Sequence, residues 1–182
     1  MSPQKHFTIV YGGSLYDNME NYVIILIRLI KSIQRQGYSI KLKIYTMLPA
    51  YIELFNEYGI DTKLHTQVSS KQFIHIAQAG DLLILLRPDW SPNAFSTKFF
   101  EYIALRKPVL YIGPKGEVSD FIVNYRLGFT LDAENVEQIS HDIIKNRTIN
   151  EIPDRTFNLQ KYTFEYQTKL LIQHFNDHCS NN

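Results

Sequence analysis

The sequence predicts a three-layer α/β/α sandwich built on a parallel sheet of about six strands. Short β-branched runs alternate with helical patterns along the chain, which implies right-handed crossovers between parallel strands. The run DLLILL (81–86) is apolar without a break, as a central strand covered on both faces must be. The length of 182 residues suits one domain with a full core.

FTIVY (7–11) reads as the first strand. MENYVIILIRLIKSIQRQ (19–36) is a helical pattern that Gly37 stops. IKLKIY (40–45) is the second strand, and PAYIELFNEYG (49–59) a helix with Pro49 in its first turn and Gly59 at its end. TKLHT (62–66) is a short strand, and SSKQFIHIAQAG (69–80) a helix with an N-cap serine and a C-terminal glycine. DLLILL, PVLYIG (108–113) and GFTL (128–131) supply the remaining strands. The helix opened by FSTKFFEYIALRK (95–107) and EVSDFIVNYR (117–126) stand between them. ENVEQISHDIIKN (134–146) and FNLQKYTFEYQTKLLIQHF (157–175) close the chain as helices, joined by the seam RTINEIPDR (147–155).

Composition narrows the function. The hydrophobic fraction of 45% and charged fraction of 20% are ordinary for a folded domain, while the aromatic fraction of 13% is high. A net charge of +1 with no Lys/Arg block gives no sign of a nucleic-acid partner. The single cysteine, Cys179, rules out an internal disulfide and a Cys-based zinc site, and fits a reducing compartment. The first residues carry no signal-peptide core, and YVIILIRLI is too short to span a bilayer. His65, His75 and His141 lack metal-ligand spacing, and there is no Asp-x-Asp pair.

In a parallel sheet, ligands bind at the carboxyl ends of the strands, here the loops 12–18, 46–48, 66–69, 87–95 and 113–116. In the first, Gly12 and Gly13 permit close backbone approach, and the helix beyond offers N–H groups to an anion. The same residues also suit a plain strand-to-helix turn. At 96–101, Ser96 and Thr97 can cap a helix or present donors to a phosphate. Lys98 opposes the helix dipole in the first turn, at a cost of a few tenths up to about 1 kcal/mol. Glu101 lies on the same face. A diphosphate at the helix start would satisfy Lys98, and a carboxylate one turn deeper would accept from a sugar diol. The competing reading is a Lys–Glu surface pair, worth roughly 0.2–0.5 kcal/mol and in the poorer order.

The stretch STKFFEYIALRKPVLYIG…GEVSDFI resembles the C-terminal half of GT-B glycosyltransferases of the family 4 type, the group 1 glycosyl transferases. There a helix of the form (P/S)-x-K-x-x-E-Y-x-A-x-G-K-P-V precedes a buried strand and a small-residue loop. FTIVYGGSLY is similar to the family's first strand and glycine turn, and VSSKQFIHIAQAGDLLILL to its short helix before an apolar strand. The resemblance runs from about 7 to 175, and its most specific part is the helix motif. It implies a Rossmann-like domain, one half of a GT-B fold, that binds a nucleotide sugar. The N-terminal acceptor-binding domain would be missing, so the isolated domain would be inactive.

Carried over by position, the resemblance implies that Glu101 binds the nucleotide ribose and Lys98 the diphosphate or sugar. Phe95, Ser96 and Thr97 would offer donors to phosphate, Gly13 and Ser14 would face the diphosphate, and Gln67 and Val68 would flank the base. The chain departs from the pattern in three places. Eight positions before Glu101 stands Asn93 where many relatives carry a second glutamate. SLYDNMEN, after the first strand, lacks the relatives' phosphate-clamping Arg and Lys. Arg106 replaces the usual small residue before Lys107. Arg87 either supplies the missing charge or pairs with Asp89.

The expected reaction is transfer of a hexose from a nucleoside-diphosphate sugar to a surface glycan or glycolipid, without a metal or other cofactor. The expected setting is cytoplasmic, with membrane association through the full-length enzyme. A half domain of a UDP-sugar 2-epimerase, a non-catalytic flavodoxin-like binding module, and a partner subunit of a split transferase are the alternatives.

Overall fold

A computed structural model describes residues 6–48, 50–147 and 157–179. Six parallel strands form one sheet in the order β3-β2-β1-β4-β5-β6. They are β1 (His6–Gly12), β2 (Ser39–Tyr45), β3 (Thr62–His65), β4 (Leu82–Leu86), β5 (Val109–Ile112) and β6 (Gly128–Leu131). Between and after them run α1 (Glu20–Arg35), α2 (Ile52–Glu57), α3 (Ser70–Gln78), α4 (Thr97–Ala104), α5 (Glu117–Asn124), α6 (Val136–Arg147) and α7 (Phe164–Cys179). This is the Rossmann-like α/β/α sandwich that the alternation predicts.

Strand parity builds the core. Successive side chains point to opposite faces. Ile9, Tyr11, Leu82, Ile84, Leu110 and Ile112 therefore pack on one face with α1, α2 and α6. Val10, Leu83, Leu85, Val109 and Tyr111 pack on the other with α3, α4 and α5. Every residue of β4 and β5 is buried, which is why those strands read as unbroken apolar runs. β2 alternates between buried and half-buried positions, matching its Ile-Lys-Leu-Lys-Ile pattern. The strand β3 sits at the sheet edge, with Lys63 and Leu64 exposed.

Side chains fix the joints. Asp81 Oδ2 accepts from the Thr8 amide at 2.7 Å while its own amide donates to the Thr8 carbonyl, locking β4 against β1. Buried Ser32 of α1 and Ser140 of α6 bond at 2.7 Å, and Glu137 accepts from Ser32 and pairs with Arg35.

Two helix starts differ from the sequence pattern. Tyr51 takes a left-handed conformation (φ 66°), so α2 begins after it; Pro49 lies outside the described residues, as does the connection 148–156. Near the C-terminus, Asn158 caps a single 3-10 turn (Leu159–Tyr162), and Thr163 is extended. The Thr163 hydroxyl accepts from the Tyr166 amide and opens α7 as a separate helix. α7 exposes large apolar side chains, with Phe164 92% accessible and Leu171, Ile172 and Phe175 each above half.

Gly128 opens β6 at φ +157°, where an added Cβ would lie 1.9 Å from the Val109 carbonyl oxygen. Gly128→Ala is expected to destabilise the domain by about 2 kcal/mol or more, read as a lower urea midpoint at constant m-value.

Candidate functional site

The chain reverses its direction of travel across the sheet between β1 and β4, and a crevice opens at the carboxyl ends of the strands there. A cavity of about 270 Å³ occupies it. Gly12, Gly13 and Ser14 come from the turn after β1, and Tyr45, Thr46 and Met47 from the end of β2. Gln67, Val68, Ser70 and Phe73 come from the loop after β3 and from α3. Lys98 and Glu101 complete it from α4.

Aromatic rings set its shape. An added Cβ on Gly12 would lie 2.3 Å from the Phe73 ring, so glycine is what lets α3 close onto the turn. Phe73 meets Tyr45 edge-on at 5.9 Å, and Tyr45 stacks on His65 at 4.5 Å and 8°. Tyr102 lies 6.2 Å from Phe73. Burial pushes its phenol well above the ordinary range, with the Gly12 backbone beside the hydroxyl opposing the shift. The Gly13 amide donates to the Tyr45 carbonyl at 3.0 Å, extending the β1–β2 ladder into the turn. α1 does not present its start to the cavity: a 3-10 turn (Asp17–Met19) precedes it, acids occupy both, and the Met19 amide donates to Tyr51 Oη.

α4 presents its first turn instead. Ser96 caps it, accepting from the Phe99 amide at 3.3 Å, and Thr97 is exposed at its first position. The ion pairs among the described residues are Arg35–Glu137 and Lys169–Glu165, so Lys98 and Glu101 are not paired with each other. Lys98 Nζ lies 4.8 Å from the centroid of the Phe73 ring. A cation over a ring face gains about 0.5–1 kcal/mol at such a site. That is comparable with the dipole penalty of about 0.3–1 kcal/mol, so Phe73 makes the first-turn lysine tolerable. The surface-pair reading is not what forms, and both charged groups line the cavity.

The other sequence-predicted residues face elsewhere. Arg87 Nη2 donates to the Ser91 carbonyl and hydroxyl at 3.3 and 2.6 Å, and its buried Nε has no partner. Asp89 accepts from Tyr22 Oη rather than from Arg87. Beside them Tyr111, pushed up to about 12 by burial, donates to the Pro114 carbonyl. Asn93 Oδ1 accepts from the Glu117 amide at 3.0 Å, clamping the β4–α4 loop to the start of α5. Phe95 packs among Phe99, Phe100 and Phe121. Gly13, Ser14, Gln67, Val68, Lys98 and Glu101 are thus gathered at one cavity, and Arg87, Asn93, Phe95, Ser96 and Thr97 do not line it. Tyr45, Thr46, Met47, Ser70 and Phe73 join the wall unannounced, although the loop 46–48 stands at a strand end where ligands bind. Among the described residues no three His, Cys, Asp or Glu are placed to hold a metal ion.

No protein-family model and no curated protein matches the chain. Solved structures do. One is WaaG, a glycosyltransferase involved in lipopolysaccharide biosynthesis, with TM-score 0.59 at 17% identity over 82% of this chain and 40% of that one. Another is the C-terminal domain of LpcC, a glycosyl transferase group 1 family protein from Francisella tularensis, with TM-score 0.58 at 13% identity over 87% of each chain. A third is the pneumococcal O-GlcNAc transferase GtfA in complex with UDP and GlcNAc, with TM-score 0.60 at 12% identity over 99% of this chain and 37% of that one. The chain has the fold of a C-terminal GT-B domain, and it spans 40% and 37% of WaaG and GtfA.

Asn93 spends its amide oxygen on the first turn of α5 and does not line the cavity. Asn93→Ala is expected to cost about 1 kcal/mol of stability, read by thermal denaturation.

Proposed function

We propose that the chain is the nucleotide-sugar-binding domain of a glycosyltransferase that moves a hexose from a nucleoside-diphosphate donor to a surface glycan or glycolipid acceptor. One observation carries the reading: Lys98 and Glu101 share the switch-point cavity without neutralising each other. Lys98 and the free N–H groups of the α4 first turn suit the diphosphate. Glu101, one turn deeper, suits the ribose hydroxyls. As the glycosidic bond to the leaving diphosphate breaks, negative charge grows on its oxygens. A fixed cation and a helix N-terminus aimed there stabilise that charge more than the ground state. The positive charge is supplied by the chain itself, so this reading calls on no metal. The bound UDP and GlcNAc of GtfA, which shares the fold, support the assignment.

The acceptor belongs on a second body. The cavity of about 270 Å³ is smaller than the roughly 300–1,000 Å³ of a complete small-molecule site. Large apolar side chains stand exposed on the loops that follow β1, β2 and β4: Tyr16, then Met47 at 72% with Leu48 next to it, then Trp90 at 75%. Such exposure marks an interaction surface. An acceptor-binding domain facing these loops would enclose the donor, and the domain alone would bind without transferring. No helix among the described residues is long and apolar enough to cross a membrane.

Calorimetric titration of UDP, GDP and ADP tests the reading. One nucleotide is expected to bind, and Lys98→Ala and Glu101→Ala should each weaken it by about 1 kcal/mol or more, roughly fivefold. Binding that neither substitution changes would move the site away from α4, and no binding to any of the three would refute an autonomous donor site.

A further inference from the structure

A second cavity, of about 400 Å³, opens on the far side of α4, between it and α5. Its walls are Phe95, Phe100, Phe121, Tyr125 and Tyr162, with Glu117, Asp120 and Asn124 along one side. We propose that it is a binding site for a small organic cation, of the alkylated-ammonium class, independent of the nucleotide-sugar reading.

The rings are inclined to one another rather than coplanar. Phe121 stands edge-on to Phe95 at 5.4 Å and 75° and to Tyr162 at 5.2 Å and 83°, and tilts against Tyr125 at 4.5 Å and 46°. Phe157 backs the wall, stacked on Tyr162 at 5.4 Å. Inclined rings along one cavity offer a compact apolar-coated cation several aromatic contacts, where a sugar ring would need one flat face. Most of these rings are only half-buried, and Tyr125 is 43% accessible.

Charge selects among guests. Glu117 and Asp120 occupy the first turn of α5, where the helix dipole favours acids. That accounts for two acids at a helix start, but not for the aromatic cavity beside them. Neither has an ion-pair partner among the described residues. A neutral apolar guest would strip water from both carboxylates without compensation. A cation seated against the rings would pair with them instead. A divalent metal is the poorer guest: Phe95, Phe100 and Phe121 supply no ligand atoms, and among the described residues no three His, Cys, Asp or Glu are placed to hold one. An anion would meet the same two carboxylates and be repelled.

The test compares choline with 3,3-dimethylbutan-1-ol, its uncharged isostere, each titrated into the 182-residue chain and followed by aromatic-ring NMR shifts. Choline is expected to shift the Phe121, Tyr125 and Tyr162 resonances saturably and to bind about three- to tenfold tighter than the alcohol. Tyr125→Leu, which keeps an apolar wall, and Asp120→Asn, which keeps the side-chain shape, should each weaken choline by a few-fold; unchanged circular dichroism would show that both variants fold. Equal binding of the two guests would reduce the cavity to an apolar surface and overturn the proposal. So would the absence of any choline-dependent shift, or choline affinity indifferent to both substitutions.

Discussion

The site depends on the divergence of the chain at β1 and β4. From β1 the connections run outward through β2 to β3, then cross back to β4 and proceed the other way. The loops after β1 and β4 therefore part company, and the space between them cannot be filled by either. That crossing also changes faces: α1 and α2 cover one side of the sheet, and α3, α4 and α5 the other. The parity of β4 and β5 makes this affordable, because both faces of each strand are apolar and each needs its own helices. Without α3 and α4 side by side on the second face, Phe73, Lys98 and Glu101 would not meet.

Within the crevice, Phe73 does several things at once. Its ring fills the space a Cβ on Gly12 would need, tying the glycine turn to α3. It lies under Lys98 Nζ and meets Tyr45 edge-on. A ring face attracts the lysine without neutralising it, unlike a carboxylate. The ammonium is held over the ring and still has its hydrogen-bond donors for an anion. An ion pair with Glu101 would have spent both groups on each other.

The fold was legible because its signals are periodic. Alternation of strands and helices, the unbroken DLLILL run and the glycine stops each report a backbone period, and tertiary context did not override them. The site was legible where a residue was locally misplaced: Lys98 sits where the dipole opposes it, and Glu101 shares its face by helical spacing. Direction was not legible. Arg87, Asn93 and Phe95 lie on the right loop, but nothing in their spacing says that Arg87 folds back onto Ser91, that Asn93 reaches α5, or that Phe95 joins an aromatic cluster. Phe73 and Tyr45 read as ordinary core and strand residues, since an aromatic lining a cavity has the same sequence period as one packed against a helix. The break before α7 was hidden for a related reason: apolar spacing continues through 157–175, and a single hydroxyl cap at Thr163 decides where the helix restarts.

The position of Asn93 bears on how such a site tolerates change. In the resembled pattern an acid stands there, eight positions before Glu101. Here the amide oxygen accepts from the Glu117 amide, and Gly116 leaves room for it: an added Cβ would lie 2.5 Å from that oxygen. A carboxylate at the same place would accept the same bond but would stand beside Glu117 and Asp120, adding a third negative charge to one helix start. The neutral amide keeps the cap and avoids that repulsion. The departure from the pattern thus has a physical cause on the α5 side of the loop, and the cavity at the strand ends, whose charged groups are Lys98 and Glu101, is built without it.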